Sequence, residues 1–279
     1  MRASKIVLTG ALGVLGQTLR APLARMCDAL VSVDLHEGAE TLPNETYARA
    51  DVSVMAEIAP HLAGAEVVVH FAAIPDERPF EELLGPNFVG AYNVWEASAR
   101  AGVRRIVYAS SVHAVGMWET NAGIDADAPH RPDTFYGLSK CFAEDMGRMY
   151  WEKRGLEAVC LRIFSATEAP GNERALGTWL SRPDLIQMVE RGVEAPVTGF
   201  CVVYGVSNND RSPVSNAKAS FLGYRPRDNA ESMAAGILAA APRRDPKDPA
   251  HSRLGGPFAA VPLGESGVAW INRLAAKDP

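Results

Sequence analysis

The chain predicts an α/β protein, with a doubly wound, mostly parallel sheet of the Rossmann type and a small C-terminal lobe. Three observations lead there. A short apolar run, Ile6-Val7-Leu8, passes through glycines at 10, 13 and 16 into a helical pattern over 14–24. Apolar runs suited to buried strands then alternate with helical stretches up to residue 163. Beyond Ser165 the alternation stops, and Pro170, Gly171, Pro183, Pro196 and Pro213 break the chain into short pieces. The expected division is a dinucleotide-binding unit over 1–165 and a substrate lobe over 166–279.

The first turn, KIVLTGALGVLG from Lys5 to Gly16, carries the chemistry of the N-terminal part. Glycines allow a sharp turn and close approach to a pyrophosphate, and the free N–H groups of the following helix favour its negative charge. Gly10, Leu12, Gly13, Val14, Leu15 and Gly16 are the candidate cradle. The second apolar run, Ala29 to Asp34, ends in an acid 18 residues beyond Gly16, where a carboxylate can hold a ribose diol. Asp34 would repel a 2′-phosphate, and Leu35, His36 and Glu37 supply no arginine to neutralise one, so NAD is expected over NADP.

Further strands are expected at 48–52, ending near the adenine with Asp51 and Val52, and at 67–73, bringing Phe71, Ala72 and Ala73 to the cofactor. Asn87 opens a helical stretch over 89–101. The run 105–111 delivers Ser110 and Ser111 at the C-terminal sheet edge, where such folds place ligands. A sixth strand is expected at 157–163. In the lobe, 201–204 reads as a strand, 229–241 as a helix and 242–253 as a solvated loop.

Tyr136 and Lys140 stand four residues apart in a window rich in helix formers, with Thr134 as the expected N-cap. That spacing puts phenol and ammonium on one helix face, and a cation beside a tyrosine favours the phenolate. Tyr136 is therefore a candidate base, with Lys140 lowering its pKa.

Composition narrows the function classes. The 279 residues are 47% hydrophobic and 22% charged with a net charge of −5, which gives no general attraction for nucleic acid or anionic lipid. No apolar stretch reaches membrane-spanning length, and the first strand begins too early for a signal peptide, so a cytoplasmic protein is expected. Cys27, Cys141, Cys160 and Cys201 lack metal-binding spacing and read as reduced; no metal is expected.

Three features now stand in order: TGxxGxxG at Thr9 to Gly16, a strand ending Ser110-Ser111, and YxxxK at Tyr136 to Lys140. Together they resemble the extended short-chain dehydrogenase/reductase family, and FLGYRPRDNAE, from Phe221 to Glu231, looks like its C-terminal signature. Within it the chain is most similar to the NAD-dependent uronate dehydrogenases, in SSxH from Ser110, YGxSKCF from Tyr136 and RIxSxxxxPxNxR from Arg162 to Arg174. The resemblance implies oxidation of a hexuronate at its anomeric carbon to an aldarolactone. It makes Tyr136 the base, Ser111 a hydrogen-bond partner of the reacting oxygen and Lys140 a partner of phenolate and ribose, with Asn87 behind Lys140. Arg174 would bind the C6 carboxylate, and Pro75, Val112, His113, Ser165 and Phe258 would complete the substrate surface.

Pro75 stands where these enzymes carry a small hydroxyl residue and Val112 where they carry Asn, which leaves the substrate's identity open. Other readings stand beside these: His113 as a backbone-bonded loop residue, Arg174 as a solvated arginine, Ser165 as a space-making residue and Phe258 as a core aromatic. Two rival functions are an epimerase or dehydratase that keeps its NAD, and a nucleotide-sensing protein without chemistry. A homo-oligomer is expected.

Overall fold

The computed structural model describes residues 2–275 except positions 39 and 243, and leaves undescribed the side chains of 274 and 275. Seven strands form one sheet: β1 (Ala3–Thr9), β2 (Cys27–Asp34), β3 (Glu45–Arg49), β4 (Val67–His70), β5 (Arg105–Tyr108), β6 (Glu157–Ile163) and β7 (Phe200–Gly205). Their order is β3-β2-β1-β4-β5-β6-β7, and every neighbouring pair is parallel. The chain winds outward from β1 to β3, then returns to β4 on the other side of β1. This leaves a switch point between β1 and β4, where ligands of such sheets bind.

Helices cover both faces, as parallel strands buried on two sides require. On one face α1 (Val14–Met26) and a helix over Arg182–Glu194 pack Leu19, Leu23, Leu185, Met188 and Val189 against Ile6, Leu8, Val107 and Leu161. On the other, α2 (Met55–Leu62), a helix over Gly90–Ala101 and the 20-residue helix Phe135–Arg154 bury Ile58, Trp95, Ala143 and Met146 against Val7, Val68 and Ile106. In chain order the short Phe80–Leu83 is α3, Gly90–Ala101 α4, Phe135–Arg154 α5, the short Ala175–Thr178 α6 and Arg182–Glu194 α7.

Several expected boundaries shift. The third strand lies at Glu45–Arg49 rather than 48–52, because it pairs in register with Leu30 to Asp34. Residues 71–73 and 109–111 lie beyond the ends of β4 and β5, in the loops that face the cleft. The alternation also outlasts Ser165. Ser181 caps α7 by accepting from Asp184 N–H, and Pro183 sits in the first turn, where its missing N–H is harmless. A proline that reads as a break thus starts a helix, and β7 joins the sheet beside β6 rather than belonging to a separate lobe. Short helical pieces follow β7, among them Ala230–Met233 and Ala234–Ala239 within the expected 229–241 helix, and Pro249–Ser252 within the expected loop.

Candidate active site

The glycine turn is packed so tightly that side chains are excluded. A Cβ on Gly10, whose φ is +73°, would lie 2.6 Å from Ala72 N, and one on Gly16 would lie 2.0 Å from Gly10 O. Gly10 therefore joins β1 to the loop after β4 at the switch point. Helix α1 opens without a side-chain cap or an acid in its first turn, so the N–H groups of that turn are available to an anion. Asp34, at the end of β2, accepts from Leu12 N–H at 2.9 Å and from His36 N–H at 3.2 Å. Two backbone donors hold the carboxylate across the turn, and its remaining lone pairs suit a diol. These features fit a dinucleotide.

At the outer end a cleft of about 660 Å³ is lined by Leu35, Glu37, Arg49, Asp51, Glu57 and His61. Asp51 is tied to Ser53 N–H at 2.8 Å, and Val52 is buried. The sequence near Asp34 offers no arginine, but β3 brings Arg49 opposite it in register. Arg49 is engaged by Glu37 at 3.5 Å and by Leu35 O at 3.0 Å.

Tyr136 and Lys140 lie on α5, whose N-cap is Thr134, accepting from Gly137 N–H at 2.9 Å. The Lys140 ammonium sits 5.3 Å from the Tyr136 ring centroid and donates to Ala109 O at 2.9 Å. Ser111, just past β5, draws the pKa of the Tyr136 phenol down. Burial pushes Tyr136 up to about 12 against the pull of Ser111, and pushes Lys140 down to about 7. The expected lowering of the tyrosine by Lys140 is not seen: desolvation dominates, Asp133 and Asp76 add to it, and only Ser111 opposes it. Because the groups adjoin, the first proton lost on raising the pH belongs to the pair rather than to either residue.

Asn87 lies in a π-helical turn, Leu84–Val89, that runs into α4. It accepts from Ile74 N–H at 2.9 Å and donates to Ile74 O at 3.0 Å and to Ser139 Oγ at 3.3 Å. It therefore bonds to the residue before Lys140 and fixes the loop carrying Phe71 to Pro75. Pro75 is exposed at the end of that loop.

The residues expected on the substrate side come from several segments. His113 Nδ1 lies 2.8 Å from Asp133 Oδ2, and its ring stacks on Phe258 at 4.5 Å and meets Tyr136 edge-on at 5.7 Å. Arg174 donates to Ser165 Oγ at 3.2 Å and to Leu254 O at 2.6 Å, while its Nε is buried without a partner. Burial lowers this guanidinium to about 10, so it stays charged at neutral pH. Among the described residues no carboxylate forms an ion pair with it. Arg174 packs on Gly256, the preceding Gly255 packs on Asp133, and Asp133 holds His113, so this glycine pair links the two groups.

Val112 departs from expectation. Ser111 turns back to accept from His113 N–H, and the next side chain points the opposite way, into an apolar cluster with Val115, Ile124, Tyr204 and Leu254. At 2% exposure it is a core residue rather than a substrate contact. Ser110 likewise turns from the cleft to Glu144, which also binds Arg162 and His130.

Two carboxylates escaped the sequence reading. Glu77 accepts from Tyr136 N–H and Gly264 N–H, both at 2.8 Å, tying α5 to the C-terminal segment. Asp133 stands one residue before the N-cap, the one local signal that could have drawn attention to it.

Comparison with known proteins agrees with this architecture. The model of the NAD dependent epimerase/dehydratase family matches residues 6–182, and the chain belongs to that family. It is 40% identical over 260 residues to the uronate dehydrogenase of Pseudomonas putida, covering 92% of this chain and 96% of that protein. The uronate dehydrogenase of Agrobacterium fabrum is 39% identical over 93% of this chain and 98% of its own. Among solved structures, the Y136A mutant of uronate dehydrogenase from Agrobacterium tumefaciens complexed with NAD superposes with a TM-score of 0.89 at 39% identity, covering 93% of this chain and 98% of that one. A UDP-galactose 4-epimerase, at 20% identity and a TM-score of 0.65, shares the fold alone.

Proposed function

We propose that the protein is an NAD-dependent dehydrogenase of uronic acids, oxidising a hexuronate at its anomeric carbon to an aldarolactone. The observation that carries this reading is Arg174: a charged, half-buried guanidinium held by two neutral oxygens, without a carboxylate partner among the described residues, packed on Gly256 in the segment that also bears Phe258. A planar fork in that setting selects a carboxylate. The names and identities of the uronate dehydrogenases of Pseudomonas putida and Agrobacterium fabrum support it, as does the glucuronic acid dehydrogenase structure from Chromohalobacter salexigens, with a TM-score of 0.90 at 34% identity.

NAD would lie over Gly10 to Gly16, its ribose diol on Asp34 and its adenine toward Asp51 and Val52, with Phe71, Ala72 and Ala73 along its length. When bound it supplies the hydride acceptor. The chain's own groups do the rest. Tyr136 takes the proton of the anomeric hydroxyl, Ser111 donates to the same oxygen, and Lys140 stabilises the phenolate and holds a ribose hydroxyl. Asn87 keeps Ser139 and the Ile74 loop in place around them. Arg174, supported by Ser165, orients the substrate from its acidic end, with His113, Phe258 and Pro75 around the ring. Self-association through the exposed Tyr92 of α4 and Leu138, Phe142 and Met149 of α5 belongs to the same proposal.

The test mixes the protein and NAD with uronic acids, aldonic acids and the parent aldoses while following NADH absorbance. Net NADH with a lactone product from uronates supports the reading. An epimerase or a sensing protein would give no net reduction.

A further inference from the structure

We propose that Asp133 is a positioning residue for the substrate side: it accepts the Nδ1–H of His113 and fixes that tautomer, leaving Nε2 as a bare acceptor for a substrate hydroxyl. The inference rests on the uronate reading only for the identity of the substrate.

The geometry is specific to this carboxylate. Its side chain is fully buried, with Oδ2 2.8 Å from His113 Nδ1 and Oδ1 accepting from Thr134 Oγ1 at 3.0 Å. Three glycines from three separate segments close around it. A Cβ on Gly116 would lie 2.0 Å from Oδ2, one on Gly255 would lie 1.8 Å from it, and one on Gly137 would lie 3.2 Å from Oδ1. The turn after Ser111, the first turn of α5 and the segment bearing Phe258 therefore all leave room for one carboxylate. A carboxylate without its hydrogen bonds would be costly in such a place, and among the described residues its only titratable donor is His113.

The imidazole has little freedom of its own. Phe258 stacks on one face at 4.5 Å, Tyr136 approaches at 5.7 Å, and Asp133 takes one ring nitrogen. In a neutral imidazole only one nitrogen carries hydrogen, so giving Nδ1–H to Asp133 makes Nε2 the acceptor. Among the described residues Nε2 makes no hydrogen bond. A substrate hydroxyl that has already accepted its own bonds needs an acceptor for its proton, and Nε2 supplies one next to the catalytic phenol. The charge of Asp133 also raises the pKa of both Tyr136 and Arg174, behind the larger effect of burial.

Two measurements on the full-length protein test this. The first is nitrogen NMR at neutral pH on enzyme labelled at its six histidines, with His113 assigned by loss of its signals in His113→Gln. A protonated Nδ1 and an unprotonated Nε2 are expected, and Asp133→Asn should shift His113 toward the other tautomer. Wild-type enzyme carrying hydrogen on Nε2 would overturn the proposal, whether or not any sugar acid is turned over. The second is a double-mutant cycle. Asp133→Asn should lower kcat/KM about tenfold, mainly through KM, as expected for a misdirected hydrogen bond. Combined with His113→Gln it should lose no more than the larger single loss. Losses that multiply would mean that Asp133 acts independently of His113, and the assignment would fail.

Discussion

The glycine turn and the cluster around Asp133 lie at the same edge of the sheet, yet they are built by different means. Between Gly10 and Asp34 the ligand-holding groups are largely backbone: an uncapped helix start and a carboxylate oriented by Leu12 N–H and His36 N–H. Around Asp133 the groups are side chains gathered from residues 111–116, 133–140, 165–174 and 254–258. A backbone cradle recognises what every dinucleotide shares. A set of side chains from four segments can change one residue at a time, and on the reading proposed above that is where substrate choice resides.

The comparison can be broken most sharply at the residue both regions serve. Tyr136→Phe should remove nearly all turnover while leaving NAD binding nearly intact, because it deletes a proton acceptor and little that grips the cofactor. Isothermal titration beside a turnover assay checks this, and retained activity would contradict it. In the wild type the rate should rise with pH through one apparent ionisation below that of free tyrosine, since Tyr136 and Lys140 adjoin and the first proton lost from the pair yields the basic form that accepts the substrate proton.

The next largest effect concerns the support beneath the site. Burial pushes the Glu144 carboxyl up, but His130, Arg162 and Ser110 outweigh it and hold it at about 2. Its stabilisation is therefore present above the unfolded value of about 4.3 and lost as pH falls toward 2, amounting to about 3 kcal/mol. Glu144→Gln should destabilise the fold by roughly 3–5 kcal/mol, because it leaves Arg162 buried without its counter-charge. Chemical denaturation at pH 7 measures it, and a loss under about 1 kcal/mol would show that the ion pair is not a support.

A smaller effect is expected on the cofactor side. Wild-type enzyme should prefer NAD to NADP by at least about tenfold in kcat/KM, or about 1.4 kcal/mol, and Asp34→Ala should narrow that gap. Arg49, released from competition with the carboxylate at its side, sharpens the expectation: adding Arg49→Ala should restore part of the preference. Equal use of both cofactors by the wild type would contradict the role of Asp34.

What the sequence revealed follows the same division. The arrangements of Gly10 to Asp34 and of Tyr136 to Lys140 were legible because they depend on spacing within one turn or one helix. The strand at 201–204 was legible, but helix α7 and the strand's place beside β6 were not, because Pro183 reads as a break unless its place in the first turn of α7 is known. Asp133 and Glu77 were hidden because their partners lie 20 and 59 residues away. Val112 was misplaced because which way a side chain faces after a strand end depends on the bridge that Ser111 makes to Ile163. Arg49 was missed because its relation to Asp34 exists only in the register of β2 and β3.

The most direct test of the central claim compares an acid with its neutral counterpart. Wild type and Arg174→Ala are assayed with a hexuronate and with the parent aldose. The account predicts that the substitution raises KM for the acid by roughly ten- to a hundredfold, since a charge-assisted pair is worth about 1.5–3 kcal/mol. Arg174→Lys should recover only part of it, and the aldose, already a poor substrate, should change little. Equal losses for acid and aldose would mean that Arg174 only holds the loop through Ser165 and Leu254, contradicting carboxylate recognition.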